Sequence, residues 1–217
     1  MQIISTDYGN KITLDLVNII LANREYLSEI DGAIGDGDHG INMAKGFNLC
    51  AKAIEGRTIS LSEGFEEISD ALMEGIGGSM GPLYGSFFMG MSDSIADKAC
   101  LTQQDFFSML NNGLIELQDI SSANVGDKCL MDTLIPAINA FEASMLAGND
   151  FKQSLNSMQT AAIAGRDSTL DLVAKIGRAS RLGERSRGVL GAGATSCCLL
   201  LCQLADSVEK QNVLINV

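Results

Sequence analysis

Residues 31–42 read Asp31-Gly-Ala-Ile-Gly-Asp36-Gly-Asp38-His39-Gly40-Ile41-Asn42, which brings three carboxylates and several glycines into a short interval. Glycine tolerates backbone conformations that other residues avoid, so these glycines would allow Asp31, Asp36 and Asp38 to converge. Three converging negative charges repel one another unless a cation lies between them. Oxygen ligands favour Mg²⁺ or Ca²⁺, and Mg²⁺ commonly completes its shell with water and substrate phosphates. The stretch therefore predicts a metal loop that serves phosphate chemistry.

Two other interpretations apply to this stretch. A solvated Asp-Gly turn is the simpler one, because Asp and Gly are common turn residues. A calcium-binding EF-hand fits poorly, since a loop counted from Asp36 or Asp38 has no Glu at its last position and a loop counted from Asp31 ends at Asn42. The Mg²⁺ loop and the solvated turn both stay open at this point.

The composition indicates one helical domain. The chain has 217 residues, of which 46% are hydrophobic, and this is enough for a sizeable core in a single domain over residues 1–217. Two prolines, no tryptophan and few β-branched runs favour helices over strands. The formal net charge of −12 argues against nucleic acid as a partner. We therefore expect an all-α protein.

The cysteines and the apolar segments indicate the location. The six cysteines form no C-x-x-C pair, and with a single histidine they cannot assemble a Cys/His zinc site, so we expect buried thiols in a reducing compartment. The N-terminus lacks the basic and apolar regions of a signal peptide. No segment approaches the roughly 20 apolar residues of a membrane span. A cytoplasmic protein without a membrane partner is expected.

Hydrophobic periodicity and capping patterns predict the helices. Ser60 with Glu63 and Thr102 with Asp105 form capping-box patterns, each typical of a helix start. The predicted helices cover residues 11–30 and 42–54, the segments that follow Ser60 and Thr102, an apolar segment after the glycines of 77–85, a segment through Leu146, residues 150–176 and an apolar segment after 191–196.

Three further glycine-containing turns lie where predicted helices begin or end, near residues 77–85, 124–128 and 188–196. In an antiparallel bundle, loops that are one helix pair apart gather at the same end, so these turns would join the acidic stretch. The 77–85 turn fits a backbone cradle for phosphate, and it also fits a tight helix connection. Taken separately, Asp127 and Asp132 are better explained as residues that complement the dipole at a helix start.

Residues 177–188 concentrate four arginines in an otherwise acidic chain. Arginine suits bidentate recognition of phosphate, although a solvated basic loop has the same composition. The sequence contains no Walker A, Rossmann or protein-kinase motif. Any phosphate chemistry would therefore use a helical scaffold.

Four ordered sets of residues resemble the nucleotide-binding L subunits of dihydroxyacetone kinases. They are Ile34-Gly-Asp36-Gly-Asp38-His39-Gly40-x-Asn42-Met43, Gly77-Gly78-x-x-Gly81-Pro82-Leu83-x-Gly85, Gly126-Asp127-Lys128 with Asp132, and Gly177-Arg178-Ala179-Ser180 followed by Gly183-Glu184-Arg185-Ser186 and Gly193-Ala194-Thr195-Ser196. The resemblance covers nearly the whole chain and keeps the family's order and spacing.

The resemblance implies a closed barrel of eight antiparallel amphipathic helices, with ADP or ATP and two Mg²⁺ ions held at one end. Asp31, Asp36 and Asp38 match the metal ligands, through which the family's catalysis runs. The residues that match nucleotide contacts are His39, Gly40, Ile41 and Asn42 at the phosphates, Ser79 and Met80 in the second loop, Leu130 at the adenine, Arg178, and the loop of Gly191 and Gly193 that lies over the nucleotide. Gly191-Ala192 stand where many L subunits have an acidic residue followed by Pro.

The resemblance also implies an activity and partners. Family members transfer the γ-phosphoryl group of ATP to a short keto-sugar, dihydroxyacetone or a relative such as erythrulose, held covalently on a separate K subunit. In phosphoenolpyruvate-dependent members, a phosphohistidine on an M subunit recharges the bound ADP. Two alternatives stay open: a kinase subunit with freely exchanging ATP, and a regulatory or binding module, since some L subunits contact a transcription regulator.

Overall fold

The computed structural model describes residues 2–210. Its elements in chain order are β1 (Ile3–Ser5), a 3₁₀ turn (Thr6–Tyr8), α1 (Gly9–Ala22), α2 (Arg24–Ile34), α3 (His39–Ala53), α4 (Leu61–Gly75), α5 (Met80–Ile95), β2 (Cys100–Thr102), α6 (Gln103–Ile120), α7 (Met131–Leu146), α8 (Phe151–Ser168), a 3₁₀ segment (Arg178–Ser186) and α9 (Ala192–Lys210).

The all-α prediction is confirmed only in part. The described residues are mostly helical, but β1 and β2 pair as a two-stranded antiparallel sheet with Ile4 opposite Leu101. Each strand has three residues, which is too short for a period of two to stand out in the sequence. Because the pairing joins segments almost a hundred residues apart, no local sequence pattern predicts it.

The two capping boxes predicted from the sequence are confirmed. Ser60 accepts from the Glu63 N–H at 3.2 Å and donates its own backbone N–H to the Glu63 carboxylate at 2.7 Å, which starts α4. Thr102 and Asp105 make the same reciprocal pair at the start of α6. Asp150 with Gln153 forms a third capping box, at the start of α8.

Two predicted helices are wrong in extent. The predicted helix over residues 11–30 is divided at Asn23, whose side chain donates to the Ile19 carbonyl at 2.8 Å and thereby closes the last turn of α1. The second helix, α2, then runs through Asp31 to Ile34, so Asp31 lies on a helix and not in a loop. The helix predicted over 150–176 ends at Ser168.

The helices pack in an order that returns to its start. Helix α3 packs on α1 and α4, and each helix from α4 to α8 packs on the next one, while α9 returns to α1. Phe106, Phe141 and Phe151 lie where α6, α7 and α8 meet, with ring centroids 5.3, 5.4 and 6.0 Å apart. They belong to one continuous core cluster of buried apolar side chains.

Hydrogen bonds identify one end of this bundle. Asn10, at the start of α1, donates to the Arg57 carbonyl at 2.7 Å between α3 and α4. Gln103, at the start of α6, donates to the Asn149 carbonyl at 3.2 Å between α7 and α8. The connections α2–α3, α4–α5, α6–α7 and α8–α9 consequently gather at the opposite end. Among residues 2–210, no helix is both long enough and apolar enough to cross a bilayer.

Gly165 provides a test of the α7–α8 packing. A Cβ atom on Gly165 would lie 2.1 Å from the Asp132 carbonyl oxygen and 3.0 Å from the Thr133 Cα. Because both atoms belong to the α7 backbone, Gly165→Ala must push the helices apart, and we expect the free energy of unfolding to fall by about 2 kcal/mol in urea denaturation. A Cβ on Gly77 meets no atom within 4 Å, so Gly77→Ala is the control and should stay within about 0.5 kcal/mol of wild type. Equal stability of the two variants would contradict the close approach.

Candidate functional site

Three carboxylates converge at the end of the bundle where the α2–α3 connection lies. Asp31 comes from the last turn of α2, Asp36 from the turn that follows, and Asp38 directly precedes α3. One ligand oxygen from each lies within 4.8 Å of the other two. Gly37 has a φ of +77°, a left-handed conformation that turns the chain between Asp36 and Asp38 and that glycine adopts without strain.

The electrostatics of this cluster favour a cation. Partial burial, followed by the charges of Asp36 and Asp31, raises the pKa of Asp38, while Arg178 acts in the opposite direction. A raised carboxyl pKa means that the fold disfavours the charged form of Asp38. Asp38 also occupies the N-cap position of α3 without making a side-chain capping bond, so its carboxylate is not used for capping. Carboxylate oxygens of this kind fit Mg²⁺ or Ca²⁺.

Arg178 reaches the same cluster from a distant part of the chain. Its guanidinium forms an ion pair with the Asp36 carboxylate, and the side chains of Arg178 and Asp36 are 64% and 37% exposed. Ion pairs with this exposure contribute little to stability. The guanidinium can therefore exchange Asp36 for another anion at low cost.

The first turn of α3 begins beside the carboxylates. The His39 backbone N–H points to the Asp31 carboxylate at 3.4 Å. A Cβ on Gly40 would lie 2.0 Å from the Arg24 carbonyl oxygen, so glycine is required for α3 to start against α2. Ile41 is exposed and Asn42 is half-buried. Free backbone N–H groups at a helix start form an anion-binding site.

Most helix starts differ between the two ends, although α1 also starts at the end marked by Asn10 and has no side-chain cap. At the end marked by Asn10 and Gln103, helices α4, α6 and α8 all begin with capping boxes. At the carboxylate end, no side chain caps α3, α5 or α7.

At α3 the His39 N–H already points to Asp31. At α7 the Asp132 and Thr133 N–H groups bond to the carbonyls of Cys129 and Leu130. The starts of α3, after His39, and of α5 therefore offer N–H groups to water or a ligand.

The His39 side chain is buried and belongs to a hydrogen-bond cluster. Its Nε2 lies 2.9 Å from the Ser196 Oγ, which lies 2.7 Å from the Tyr84 hydroxyl. Tyr84 in turn donates to the Gly193 carbonyl at 3.1 Å. Burial lowers the pKa of His39 to about 4, so the ring is neutral at pH 7. Tyr84 and Ser196 were not among the predicted site residues, although both lie in or beside the quoted motifs.

The second predicted loop lies at the start of α5. Ser79 is exposed and precedes the helix, and Met80 is its half-buried first residue. Glycines 77 and 78 have open space around them. Tyr84, on the second turn of α5, connects this helix to His39 through Ser196.

Leu130, Gly191 and Gly193 come together beside the start of α9. Leu130 is buried and directly precedes α7. A Cβ on Gly193 would lie 3.4 Å from the Leu130 nitrogen, and a Cβ on Gly191 would lie 3.4 Å from the Lys128 carbonyl oxygen. Helix α9 begins at Ala192, so Gly193 lies in its first turn and not in a loop.

Lys128 and Asp132 organise the backbone around this segment. The Lys128 ammonium donates to the carbonyls of Thr169 at 2.7 Å, Leu172 at 3.1 Å and Val189 at 2.6 Å. Asp132 is buried and accepts from the backbone N–H groups of Gly126 at 2.6 Å and Cys129 at 2.7 Å. Asp132 also lies in the first turn of α7, as the dipole interpretation predicts, and these two bonds are an additional role. Lys128 has a φ of +63°, which sequence reasoning does not foresee for a lysine.

The four arginines of the basic segment have different surroundings. Arg178 pairs with Asp36, whereas Arg187 pairs with Glu184 at 3.1 Å and donates to the Asp171 carbonyl. Arg181 and Arg185 are exposed. The buried Ser186 hydroxyl accepts from the Ala174 N–H at 2.9 Å and fixes the segment to the residues that follow α8. Of the four, only Arg178 reaches the carboxylates.

Comparison with known proteins relates this arrangement to one family. A family model described as the DAK2 domain matches residues 33–206. The chain is similar to the PEP-dependent dihydroxyacetone kinase 2, ADP-binding subunit DhaL, of Listeria innocua, with 32% identity over 96% of this chain and 97% of the relative. It is also similar to the PTS-dependent dihydroxyacetone kinase, ADP-binding subunit DhaL, of Lactococcus lactis, with 36% identity over 87% of this chain and 91% of the relative.

A solved structure has the same fold. The crystal structure of the dihydroxyacetone kinase from C. freundii in complex with AMP-PNP and Mg²⁺ matches with a TM-score of 0.71 and 23% identity. The match covers 95% of this chain and 35% of that chain.

The Lys128 contacts predict a local effect of mutation. Lys128→Met removes the ammonium that holds three carbonyls, so we expect the free energy of unfolding to fall by about 2–4 kcal/mol. The basic segment should also become more accessible to trypsin, which cleaves after its arginines. Lys52→Met, at an exposed lysine on α3, is the control and should change neither quantity appreciably. If Lys128→Met leaves trypsin cleavage in residues 178–187 unchanged, Lys128 does not hold this segment.

Proposed function

The chain belongs to the DAK2 domain family, and we propose that it is the nucleotide-binding, phosphoryl-transferring subunit of a kinase for dihydroxyacetone or a related short ketose such as erythrulose. One observation carries the proposal: three carboxylates converge beside the uncapped start of α3, with Arg178 paired to one of them. The similar ADP-binding subunits and the Mg²⁺ and AMP-PNP in the C. freundii structure support it.

The metal ligands in this proposal are Asp31, Asp36 and Asp38. Their oxygens would hold two Mg²⁺ ions, and the bound ions would neutralise charge on the phosphoryl oxygens. Burial, followed by the charges of Asp36 and Asp31, raises the pKa of Asp38, and this supports the assignment because a bound cation would stabilise the charged carboxylate against both. Arg178 would leave Asp36 and pair with a phosphate, an exchange that the exposure of both side chains favours.

The nucleotide contacts follow from the helix starts. The first turn of α3, with His39, Gly40, Ile41 and Asn42, would donate to the phosphates, and the start of α5, with Ser79 and Met80, would assist. Leu130 would pack against the adenine, with Gly191 and Gly193 beside it. The absence of side-chain caps from the N-cap residues of α3 and α5 supports this set, since no capping side chain occupies N–H donors there that a phosphate could use.

The architecture in this proposal is a closed barrel of eight antiparallel helices, α1 and α3 to α9, in a single domain over residues 1–217. The packing order supports it, because α9 returns to α1 and α3 packs on both α1 and α4. We also propose a cytoplasmic location. All six cysteines are free, which suits a reducing compartment.

The proposed partners are a K subunit and an M subunit. The K subunit would hold the ketose covalently and present its hydroxyl to the phosphoryl group. The M subunit would return a phosphoryl group from a phosphohistidine to bound ADP. The names of the similar subunits support this scheme, since they are described as PEP-dependent or PTS-dependent.

The first experiment measures what the protein carries when it is isolated. The full chain is purified from cells without added nucleotide and denatured, and released adenine nucleotide and magnesium are quantified. We expect near-stoichiometric ADP and about two Mg²⁺ per chain, as in a two-metal phosphoryl clamp. No nucleotide in the preparation, and none bound when Mg-ATP is added, would overturn the kinase proposal. Bound ADP that exchanges rapidly with free ATP would favour a directly ATP-dependent kinase.

Asp38→Asn tests the metal site, because it should change the melting temperature in opposite directions without divalent metal and with Mg²⁺ and ADP. Without divalent metal, the substitution removes one of three repelling charges, so we expect it to raise the melting temperature at pH 7. With Mg²⁺ and ADP present, Asp38→Asn should melt at a lower temperature than wild type. Its Mg²⁺ affinity should fall by more than about tenfold, the loss that is typical when a residue that only supports a metal ligand is mutated. Thermal melts and calorimetric titration measure these effects, and circular dichroism checks helicity.

Asp97→Asn is the matched control, because Asp97 is exposed and lies outside the cluster. It should behave as wild type in both conditions. A similar response of Asp38→Asn and Asp97→Asn to Mg²⁺ would mean that the carboxylates do not form a metal site.

A further inference from the structure

Three side chains from three helices form a buried polar cluster next to the carboxylates. His39 of α3, Tyr84 of α5 and Ser196 of α9 are 6%, 2% and 0% exposed. Ser196 lies at the centre, with the His39 Nε2 at 2.9 Å and the Tyr84 hydroxyl at 2.7 Å. The Gly193 carbonyl lies within reach of both hydroxyls, at 3.1 Å from Tyr84 and 3.2 Å from Ser196. Buried groups of this kind are costly to leave unpaired, so the cluster holds its members together.

Counting hydrogens in the cluster indicates the tautomer of His39. The two hydroxyls supply one hydrogen each, and the His39 ring supplies one to the cluster only when Nε2 is protonated. In that state Nε2–H donates to Ser196, Ser196 donates to Tyr84, and Tyr84 donates to the Gly193 carbonyl. With Nδ1 protonated instead, Ser196 must donate to Nε2, and the cluster makes one hydrogen bond fewer. The cluster therefore favours protonated Nε2.

The cluster also joins the two sides of the candidate site. On one side, the His39 backbone N–H points to the Asp31 carboxylate, and Asp38 is the preceding residue. On the other side, Gly193 lies against Leu130. Ser196 is the only described side chain that bonds to both His39 and Tyr84. Moving it would change the spacing between the carboxylates and the Leu130 side.

We propose that Ser196 and Tyr84 are positioning residues of the nucleotide site, in which Ser196 fixes the ring and tautomer of His39 and Tyr84 holds the Gly193 carbonyl. This inference rests on the proposed nucleotide-binding function. Neither residue needs to touch the nucleotide. Ser196 acts through His39, and Tyr84 acts through the first turn of α9.

His39 is the single histidine of the chain, so its ring can be observed without interference. Protein labelled with ¹⁵N-histidine and freed of nucleotide with a chelator gives two ring-nitrogen signals, whose separation reports the tautomer. In the wild type we expect widely separated signals with hydrogen on Nε2. Ser196→Ala should bring the signals closer together, because both tautomers become populated. Ser196→Thr, which keeps the hydroxyl, should restore the separation.

Calorimetric titration of the same proteins with Mg-ADP gives a second measurement. Ser196→Ala loses its bonds to His39 and Tyr84, and we expect its affinity to fall about tenfold. Tyr84→Phe leaves the bond between His39 and Ser196 intact. It should keep the wild-type ring signals and lose about threefold in affinity through Gly193. A general loss of stability would change the ring signals and the Mg-ADP affinity together in both variants. A positioning role predicts that Tyr84→Phe changes the affinity and leaves the ring signals unchanged.

Ser207→Ala is the matched control. Ser207 lies about three turns further along the same helix, is equally buried and donates to Asp15 of α1 at 2.8 Å. It should lose stability as Ser196→Ala does, but keep the wild-type ring signals and Mg-ADP affinity.

The outcomes separate this inference from the proposed function. If wild-type protein binds Mg-ADP, but Ser196→Ala keeps both the wild-type ring signals and the wild-type affinity, the positioning role is overturned and the function stands. If wild-type protein binds no Mg-ADP, the function is overturned, and with it a positioning role in a nucleotide site. Equal effects of Ser207→Ala and Ser196→Ala on the ring signals would also overturn the inference.

Discussion

The mutual repulsion of Asp31, Asp36 and Asp38 is the constraint on which the candidate site depends. Each carboxylate has an oxygen within 4.8 Å of the other two, and the fold has to hold them there. Backbone packing does this: α3 starts against α2 at Gly40, where a side chain has no room. A helix turn, a glycine turn and a helix start hold the three residues together, and Arg178, paired with the exposed Asp36, relieves part of the repulsion. A bound cation can relieve it.

The two ends of the bundle divide the tasks of stability and binding. At the far end, α4, α6 and α8 begin with capping boxes, and the β1–β2 sheet ties the start of the chain to α6. Each capping residue typically contributes about 1 kcal/mol. At the carboxylate end the N-cap residues of α3 and α5 give up the same contribution, and a side-chain cap there would occupy N–H groups that an anion needs. The stable end thus offsets the cost of the open one.

Sequence reasoning succeeded where the signal is local. The capping boxes of Ser60 and Thr102 lie within four residues, and the carboxylates with their glycines lie within eight, so their geometry could be anticipated. It failed where distant segments meet. Ser196 is 157 positions from His39, and nothing in the periodicity of α3 or α9 indicates that they touch. The left-handed conformation of Lys128 is imposed by three carbonyls from beyond α8, which local propensity cannot contain.

The contacts at the site also differ in how easily a ligand can replace them. The pair of Arg178 and Asp36 is exposed, so solvent already weakens it and an entering phosphate can compete for the guanidinium. The cluster of His39, Ser196 and Tyr84 is buried, and breaking it would leave polar groups without partners. A nucleotide can therefore displace the first without disturbing the second. The buried cluster sets the shape of the site before a ligand arrives, and the exposed pair is the part that gives way.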